Sequence, residues 1–297
     1  MRWVFEDLHQ VQARKLLGLD ICPAGSFATW LDRMPPAPAF ALCVRKEFNT
    51  VDTELRVRGN WATCLELAHL AEQLGSPGCR VLDVGANIGA CTLLLAKLGY
   101  RVDAFEPLPR NLELLGASLR LNAVPPEAVK LHAVALGDRS GTGSILEGRG
   151  NAGMTVVTPM ANPPCDSRSF TCGRLQEASM ARLDDIWSSE DGPICLAKLD
   201  VEGNELRVLR GALGLLRDQA IRALHFEWWP PHLLALGEDP LALLWLLHAM
   251  NYEVYAPDRS LGAGAESPVR WVRVAADQFS RLLNHWGDLL AKPSGAW

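Results

Sequence analysis

The chain has 297 residues, of which 48% are hydrophobic and 21% charged, and its formal net charge at pH 7 is -5. This composition is ordinary for a globular protein with a sizeable apolar core. The acidic balance argues against a nucleic-acid-binding surface, which would need a basic patch, and no apolar run approaches the ~18 residues of a membrane span.

Residues 1–78 are predicted to form an extension that covers or flanks the core. Helical spacing of apolar residues predicts one amphipathic helix near residues 4–16 and another at 61–74. Two short strand-like runs lie between them, at 40–44 and 55–57. A Ser-Pro-Gly sequence then separates the extension from the segment that follows.

The stretch 80–92, RVLDVGANIGACT, carries the most informative pattern of the chain. An apolar strand ends near Asp83, and a turn of small residues containing Gly85, Asn87 and Gly89 leads into an apolar-periodic helix. A strand, a glycine turn and a helix in this order bring the backbone close to a ligand at the helix N-terminus. We therefore predict a coenzyme-binding turn here.

The acidic residue before this turn favours a cationic coenzyme. Asp83 would repel the pyrophosphate of a dinucleotide, and it would attract the sulfonium and ammonium groups of S-adenosylmethionine (SAM). The spacing Asp-x-Gly-x-Asn-x-Gly also lacks the third glycine of the dinucleotide fingerprint. The turn is therefore predicted to bind SAM, and an NAD-dependent oxidoreductase on the same fold is the less favoured alternative.

A second strand is predicted at 101–105 and is closed by Glu106 and Pro107. Glu106 lies 23 residues after Asp83, close to the ~20-residue offset at which an acidic side chain meets ribose hydroxyls. Pro107 lacks the N–H that the next ladder hydrogen bond needs, so it fixes the end of the strand. Glu106 is predicted to bind ribose; the alternative is a solvated side chain at a strand end.

Further strands are predicted at 129–136, 194–199 and 221–226, with helical patterns between and after them. Glycine, serine, threonine and proline dominate residues 139–172, which are predicted to be an insertion without regular structure. Strands that alternate with helices predict an α/β fold with a doubly wound, mostly parallel sheet.

The end of the chain is predicted to add a strand pair at 252–255 and 269–274, followed by a helix at 279–290. These patterns divide the chain after the extension into two parts. A SAM-binding catalytic domain is predicted at 79–275, and a C-terminal helix within 276–297.

A cluster of ionisable residues marks the ends of two neighbouring predicted strands. Lys198, Asp200 and Glu202 share one face because side chains alternate along a strand, and His225 and Glu227 share a face on the next strand. Buried charges persist only when they are paired or used, and ligands bind at the carboxyl edge of such sheets. Asp200, Glu227 or His225 is therefore predicted to act as the general base.

A structural network is the alternative for part of this cluster. Lys198 would neutralise Asp200, and Glu202 or Glu205 would sit favourably at a helix N-terminus. We prefer the structural role for Lys198 and Glu205 and the functional role for Asp200. Asp200 and Glu227 together offer two ligands to a divalent cation, but without a convincing third ligand no metal site is predicted.

These segments together resemble the FkbM family of class I methyltransferases. The resemblance spans about residues 60–256 and is carried by VLDVGANIGACT (81–92), FEPLPRNLELL (105–115), LN (121–122), AVALGD (133–138), ARLDDI (181–186), KLDVEGNELRVLRGA (198–212) and HFEW (225–228). It implies a seven-stranded class I fold and methyl transfer from SAM to a substrate hydroxyl. Sugars and natural-product scaffolds are among the acceptors of the family.

The resemblance also implies roles for individual residues. The glycine turn around Asp83 would hold the donor, and Glu106 its ribose. Ala133 and Val134 would lie at the adenine, and Asp200 would border the sulfonium.

The expected reaction is therefore O-methylation of a hydroxyl on a small molecule, sugar or natural-product scaffold, with N- or C-methylation as the alternative. The expected partner is a small-molecule or glycan acceptor, and neither nucleic acid nor a membrane span is expected; a homodimer is compatible with the sequence. The eight cysteines include no Cys-x-x-Cys pair, and residues 1–10 lack a signal-peptide pattern. They predict reduced thiols in a cytoplasmic protein.

Overall fold

The computed structural model describes residues 21–32, 34, 36–46, 50–74, 79–147, 155–158, 175–187, 191–258 and 269–295. The predicted helix near residues 4–16 lies outside these residues. Within the described ranges, no helix combines the length and the apolar character needed to cross a bilayer.

The described residues form fourteen strands, nine α-helices and one 3₁₀-helix, numbered here in chain order. The strands are β1 (Ser26–Leu31), β2 (Phe40–Arg45), β3 (Arg80–Val84), β4 (Arg101–Phe105), β5 (Val129–His132), β6 (Ala135–Leu136), β7 (Gly141–Glu147), β8 (Thr155–Thr158), β9 (Leu175–Ala181), β10 (Ile194–Leu199), β11 (Leu224–Trp228), β12 (Tyr252–Pro257), β13 (Trp271–Val274) and β14 (Gly287–Pro293). The helices are α1 (Thr50–Arg58), α2 (Ala62–Leu74), α3 (Ala90–Lys97), α4 (Pro109–Leu121), α5 (Leu183–Ile186), α6 (Glu205–Arg210), α7 (Leu213–Arg217), α8 (Pro230–Ala235) and α9 (Pro240–Ala249), and the 3₁₀-helix spans Ala276–Asn284.

The central sheet has eight strands in the order β13-β12-β14-β11-β10-β3-β4-β5. The five strands from β11 to β5 are parallel to one another. The chain runs outward from β3 to β5 on one side and from β10 to β11 on the other, so strand order reverses between β3 and β10. This is the switch point at which open α/β sheets bind ligands. The predicted α/β fold with a mostly parallel sheet is confirmed, and β13 extends the sheet to eight strands.

The predicted helix at 279–290 is wrong, and with it the predicted C-terminal helix within 276–297. The 3₁₀-helix ends at Asn284, and β14 then inserts antiparallel between β11 and β12. Leu289, Leu290 and Ala291 are fully buried. A strand that is buried on both faces reads as a continuous apolar run, and such a run does not distinguish a strand from a buried helix.

Three shorter predictions also differ from the structure. Residues 55–57 belong to α1 instead of a strand. The run at 129–136 divides into β5 and β6, and β6 pairs in a second sheet of order β6-β9-β7-β8. The region 139–172 was predicted to lack regular structure, yet it contains β7, which pairs along its length with β9. Alternation along β7 is weak in the sequence because Gly141 and Gly143 occupy two of its positions.

The N-terminal segment packs against the same apolar core as the central sheet. Strands β1 and β2 form an antiparallel hairpin, and β2 docks on α4 through its main chain. Cys43 N donates to Ser118 Oγ at 2.8 Å, and Ala41 N donates to Asn122 Oδ1 at 2.9 Å. These bonds hold β2 against the C-terminal part of α4.

The cysteines depart from the prediction of reduced thiols. The described residues contain three disulfide bonds, Cys22–Cys43, Cys64–Cys91 and Cys79–Cys195. Their partners are 21 to 116 residues apart in the chain, so the absence of Cys-x-x-Cys pairs gave no signal of them. Because disulfides persist mainly in oxidising compartments, the cysteine argument for a reducing compartment fails.

Asp103 in β4 is the centre of a buried ionic group behind the sheet edge. It is 2% exposed, and its carboxylate accepts from Arg80 Nη2 at 2.5 Å and from His132 Nε2 at 2.8 Å. Burial by itself would raise the pKa of Asp103, but the hydrogen bonds from His132 and Arg80 outweigh burial and lower it. A carboxylate with a lowered folded-state pKa stabilises the fold above its ordinary pKa and loses that contribution as the pH falls.

We therefore expect Asp103→Asn to lower the free energy of unfolding at pH 7 by about 1–3 kcal/mol. The difference from wild type should shrink as the pH falls below the ordinary Asp value of 3.8, because the carboxylate of the unfolded wild-type chain is then protonated, and it should vanish once the pH lies below the lowered folded-state pKa of Asp103. Urea denaturation at pH 7 and near pH 3 measures both values. Asp138→Asn, at an exposed position, is the control. A difference that does not shrink in acid would contradict this role of Asp103.

Candidate active site

A cavity opens at the carboxyl edge of the sheet, above the switch point between β3 and β10. Its wall is built from the turns that follow β3, β4 and β10, from the end of β11, from the start of β14 and from α2. The lining residues include Trp61, Thr63, Gly85, Asn87, Glu106, Pro107, Asn111, Val134, Lys198, Asp200, Glu202, Asn204, Glu227 and Asp288. The cavity thus lies at the predicted edge of the sheet. The N-terminal segment forms one side of the cavity.

The turn after β3 is shaped by close backbone packing. Gly85 has φ 82°, and a Cβ at this position would overlap the carbonyl oxygen of Asp200. Gly89, with φ 92°, caps α3, and a Cβ there would overlap the Leu115 side chain. Asn87 also has a positive φ of 50°, which asparagine tolerates better than most residues. Gly85 and Asn87 line the cavity, whereas Gly89 packs behind it.

Asp83 lies beneath the turn and is completely buried. Its Oδ2 accepts from Thr92 Oγ1 at 2.6 Å, and its Oδ1 is 3.2 Å from Lys198 Nζ. Asp83 does not line the cavity, in contrast to the predicted position facing the coenzyme. The reason is the register of the sheet: Asp83 and Lys198 are direct partners on β3 and β10, so the lysine meets the carboxylate below the cavity floor.

Lys198 joins the two turns that flank the switch point. Its Nζ donates to Gly85 O at 2.9 Å and lies 3.3 Å from Asp200 Oδ2, in addition to its contact with Asp83. Burial by itself would lower the pKa of Lys198, but the carboxylates of Asp200 and Asp83 outweigh burial and raise it. Lys198 is therefore a permanent cation whose charge is already engaged by two acids, as the structural alternative described.

Glu106 lies at the cavity wall with 4% exposure. Its Oε2 accepts from Asn87 N at 2.9 Å and its Oε1 from Leu108 N at 2.8 Å. Burial raises the pKa of Glu106 even though these N–H donors favour the charged form. Two backbone donors thus fix the carboxylate against the glycine turn. Val134, predicted near the adenine, also lines the cavity, whereas Ala133 is exposed outside it.

Asp200, Glu202 and Glu227 all line the cavity. Burial raises the pKa of Glu202 and of Glu227 well above the ordinary value, and the charge of Asp200 raises both further. Oε2 of Glu227 is buried without a hydrogen-bond partner among the described residues. Glu205 is different: its Oε1 accepts from Val201 N at 3.1 Å and from Gly203 N at 3.2 Å, so it holds the loop in place.

His225, predicted with Asp200 and Glu227 as a candidate base, lies behind the cavity. It is fully buried, and its Nε2 is 3.2 Å from Glu66 Oε2 and 3.9 Å from Asp288 Oδ2. Burial by itself would lower the pKa of His225, but Asp288 and Glu66 outweigh burial and raise it. The structure therefore brings two of the three candidate bases to the cavity and places His225 beneath Asp288.

The sequence reasoning missed the residues that the two ends of the chain contribute. Thr63 of α2 donates from Oγ1 to Asp288 Oδ2 at 3.1 Å, and both residues line the cavity together with Asn111 of α4. The available signal was an acid just before the apolar run 289–291. Because the same apolar run also fits a buried helix, the sequence does not indicate that Asp288 lies at the cavity.

Comparison with known proteins gives the following matches. The sequence model of a family described as "Methyltransferase FkbM domain" matches residues 83–254, more than half of the chain. No curated protein gives a significant match.

Two solved structures illustrate the structural matches. A methyltransferase FkbM from Methylobacillus flagellatus KT is 17% identical with a TM-score of 0.42, and the match covers 73% of this chain and 44% of that chain. The chain thus matches less than half the length of that protein. Magnesium protoporphyrin IX methyltransferase from Synechocystis PCC 6803, solved with bound SAM, is 12% identical with a TM-score of 0.43, and the match covers 84% and 87%.

We expect Gly85→Ala to destabilise the protein more than a conformationally matched control. Gly237 has nearly the same φ, 78° against 82°, but a Cβ at Gly237 would meet nothing within 4 Å. Both alanines cost about 1–2 kcal/mol for the left-handed backbone, and Gly85→Ala adds about 1–3 kcal/mol for the overlap with Asp200. Urea denaturation of the two variants measures the difference. Equal losses would show that the turn has room beside Asp200.

Proposed function

The chain belongs to the FkbM methyltransferase family, and we propose that it binds SAM in the described cavity and methylates a hydroxyl group of a small-molecule or glycan acceptor. The observation that carries this proposal is the charge of the cavity wall. Among the described lining residues, five are acidic and one is basic: Glu106, Asp200, Glu202, Glu227, Asp288 and Lys198.

This charge distribution favours SAM over a dinucleotide. Lys198 is already engaged by Asp83 and Asp200, so the described wall offers several acids and no unengaged lysine or arginine to a bound anion. A pyrophosphate would be repelled from such a wall, whereas the sulfonium and ammonium groups of SAM are attracted. The preference for a cationic coenzyme, which the sequence assigned to Asp83, thus comes from the acids that line the cavity.

The cavity residues suggest how the donor is held. Glu106 is fixed against the glycine turn by two backbone N–H groups and is suited to accept from the ribose hydroxyls. Asp200 borders Gly85 across the switch point and would lie at the sulfonium. Val134 would contact the adenine.

Methyl transfer is an in-line displacement in which the acceptor oxygen forms a bond to the methyl carbon as the carbon–sulfur bond breaks. The sulfur keeps the electron pair, and S-adenosylhomocysteine leaves as product. Holding the oxygen in line behind the methyl group contributes up to about 7–11 kcal/mol in favourable cases. Asp200 is partly exposed to the cavity, and we assign it to accept the hydroxyl proton as the new bond forms.

An exposed aromatic pair beside the cavity supports a ring-shaped acceptor. Trp229 and Trp286 stack with ring centroids 5.5 Å apart and are 37% and 54% exposed. They lie two residues from Glu227 and Asp288, which face each other across β11 and β14. Exposed indole faces bind flat apolar surfaces such as sugar or aromatic rings. A nitrogen or carbon acceptor remains the alternative within this family.

Calorimetric titration with S-adenosylhomocysteine and with NADH tests the donor assignment. We expect the first to bind and the second not to bind. We also expect Glu106→Gln to weaken S-adenosylhomocysteine binding about 10- to 100-fold, because charge-assisted hydrogen bonds of about 1.5–3 kcal/mol are lost.

The control for that variant is Glu113→Gln on the exposed face of α4, which should bind as wild type does. Binding of NADH without S-adenosylhomocysteine would overturn the proposed function. Equal binding by Glu106→Gln and wild type would remove Glu106 from the donor site.

The assignment of Asp200 predicts a split between turnover and donor affinity. Asp200→Asn should lower kcat about 10²- to 10⁴-fold, as expected for loss of a general base, with a much smaller change in S-adenosylhomocysteine affinity. Release of S-adenosylhomocysteine over a panel of sugars, phenols and aliphatic alcohols identifies an acceptor and measures kcat. Asp218→Asn, with a side chain 71% exposed, is the control. Equal losses of kcat and of donor affinity would contradict the role as base.

A further inference from the structure

Glu202, Glu227 and His232 bring three metal-ligating side chains together at the cavity. One ligand atom from each residue lies within 4.8 Å of those of the other two. The three residues come from the loop after β10, from the end of β11 and from α8. The sequence offered only the two acids Asp200 and Glu227 as cation ligands, since His232 lies on a helix that the predicted edge did not include.

Close packing of α8 on the loop after β10 positions the histidine. Gly203 has φ 94°, and a Cβ there would press on the His232 backbone at 2.9 Å. As a result His232 Nδ1 lies 3.3 Å from Glu202 Oε2. The indole of Trp229, with its centroid 5.7 Å from the imidazole, packs beside the histidine.

Among the described residues, no lysine or arginine forms an ion pair with either carboxylate of this cluster. Glu202 and Glu227 line the cavity, and the lysine of the wall is engaged by Asp83 and Asp200. Oε2 of Glu227 is buried and has no hydrogen-bond partner within the described part of the chain. Buried carboxylates at such short separation repel each other unless a cation or a proton lies between them.

We propose that Glu202, Glu227 and His232 form a binding site for a divalent transition-metal ion at the wall of the cavity. Two carboxylate oxygens and one imidazole nitrogen suit Mn²⁺ or Zn²⁺ better than the all-oxygen sites of Ca²⁺ and Mg²⁺.

The role of the ion rests on the proposed function. An ion held by three protein ligands would have coordination positions left for an acceptor hydroxyl from the cavity. A metal-bound hydroxyl loses its proton more readily than a free one. In this arrangement the ion would orient and polarise the acceptor, and Asp200 would receive the proton.

The test uses the full chain after removal of metal with EDTA. Titration with MnCl₂, followed by the electron paramagnetic resonance signal of free Mn²⁺, should show one bound ion per chain, and calorimetry with ZnCl₂ should give the same stoichiometry. Electron spin-echo modulation of the bound Mn²⁺ should reveal a nitrogen ligand. Failure of both Mn²⁺ and Zn²⁺ to bind in a saturable way overturns the proposal.

Single substitutions test which side chains bind the ion. His232→Gln should remove the nitrogen modulation and weaken Mn²⁺ binding at least about 10-fold, since even outer-shell partners of metal sites contribute 10- to 100-fold. Glu227→Gln should weaken binding to a similar degree and decides the question if His232→Gln does not fold. His248→Gln, on the exposed side of α9, should bind Mn²⁺ as wild type does.

A nitrogen modulation that persists in His232→Gln would place the ion elsewhere, for example at Glu66, His225 and Asp288, whose ligand atoms also lie close together. Unchanged Mn²⁺ affinity in Glu227→Gln would equally overturn the proposal. Titration of the metal-free wild type with S-adenosylhomocysteine separates the two proposals. Donor binding without metal binding overturns only the metal site, and metal binding without donor binding overturns only the proposed function.

Discussion

The ammonium group of Lys198 holds together the two loops between which the cavity opens. It contacts Asp83 below the cavity, Gly85 O in one loop and Asp200 in the other. A buried lysine is costly unless it is fully paired, so the position of each loop depends on the other. Gly85 also lies against the Asp200 carbonyl, and a backbone hydrogen bond from Asp200 N to Val84 O at 3.1 Å joins the same two segments. The acidic character of the cavity wall depends on it too, because Lys198, the one basic residue among the described lining residues, is engaged by Asp83 and Asp200.

The parallel half of the sheet was predictable because its signals are local. Strands β3, β4 and β10 are short apolar runs bounded by turns, and their predicted limits agree closely with the structure. The strand β14 was not predictable, because its pairing is decided by two strands that lie far away in the chain. The disulfides were missed for the same reason: spacing along the chain does not report which cysteines meet across neighbouring elements.

Sequence also identified most residues of the cavity edge but not the direction in which each side chain points. The sequence predicts that Asp83 and Asp200 both face the ligand. In the structure Asp83 instead points toward Lys198, its partner on the neighbouring strand. His225 follows the same face as Lys198 on the neighbouring strand, and it is covered by Asp288 from β14. The family resemblance depends on the sequence motifs and not on the direction of individual side chains. It is therefore confirmed although the predicted directions of Asp83 and His225 are wrong.

The insertion of β14 into the interior of the sheet has a consequence for the order of assembly during synthesis. Strands β11 and β12 emerge from the ribosome before residues 287–293, and each then exposes an unpaired backbone edge toward the vacant slot. Unpaired edges of this kind are sites of aggregation. A nascent chain that ends before residues 287–293 would therefore present two unpaired strand edges, on β11 and on β12.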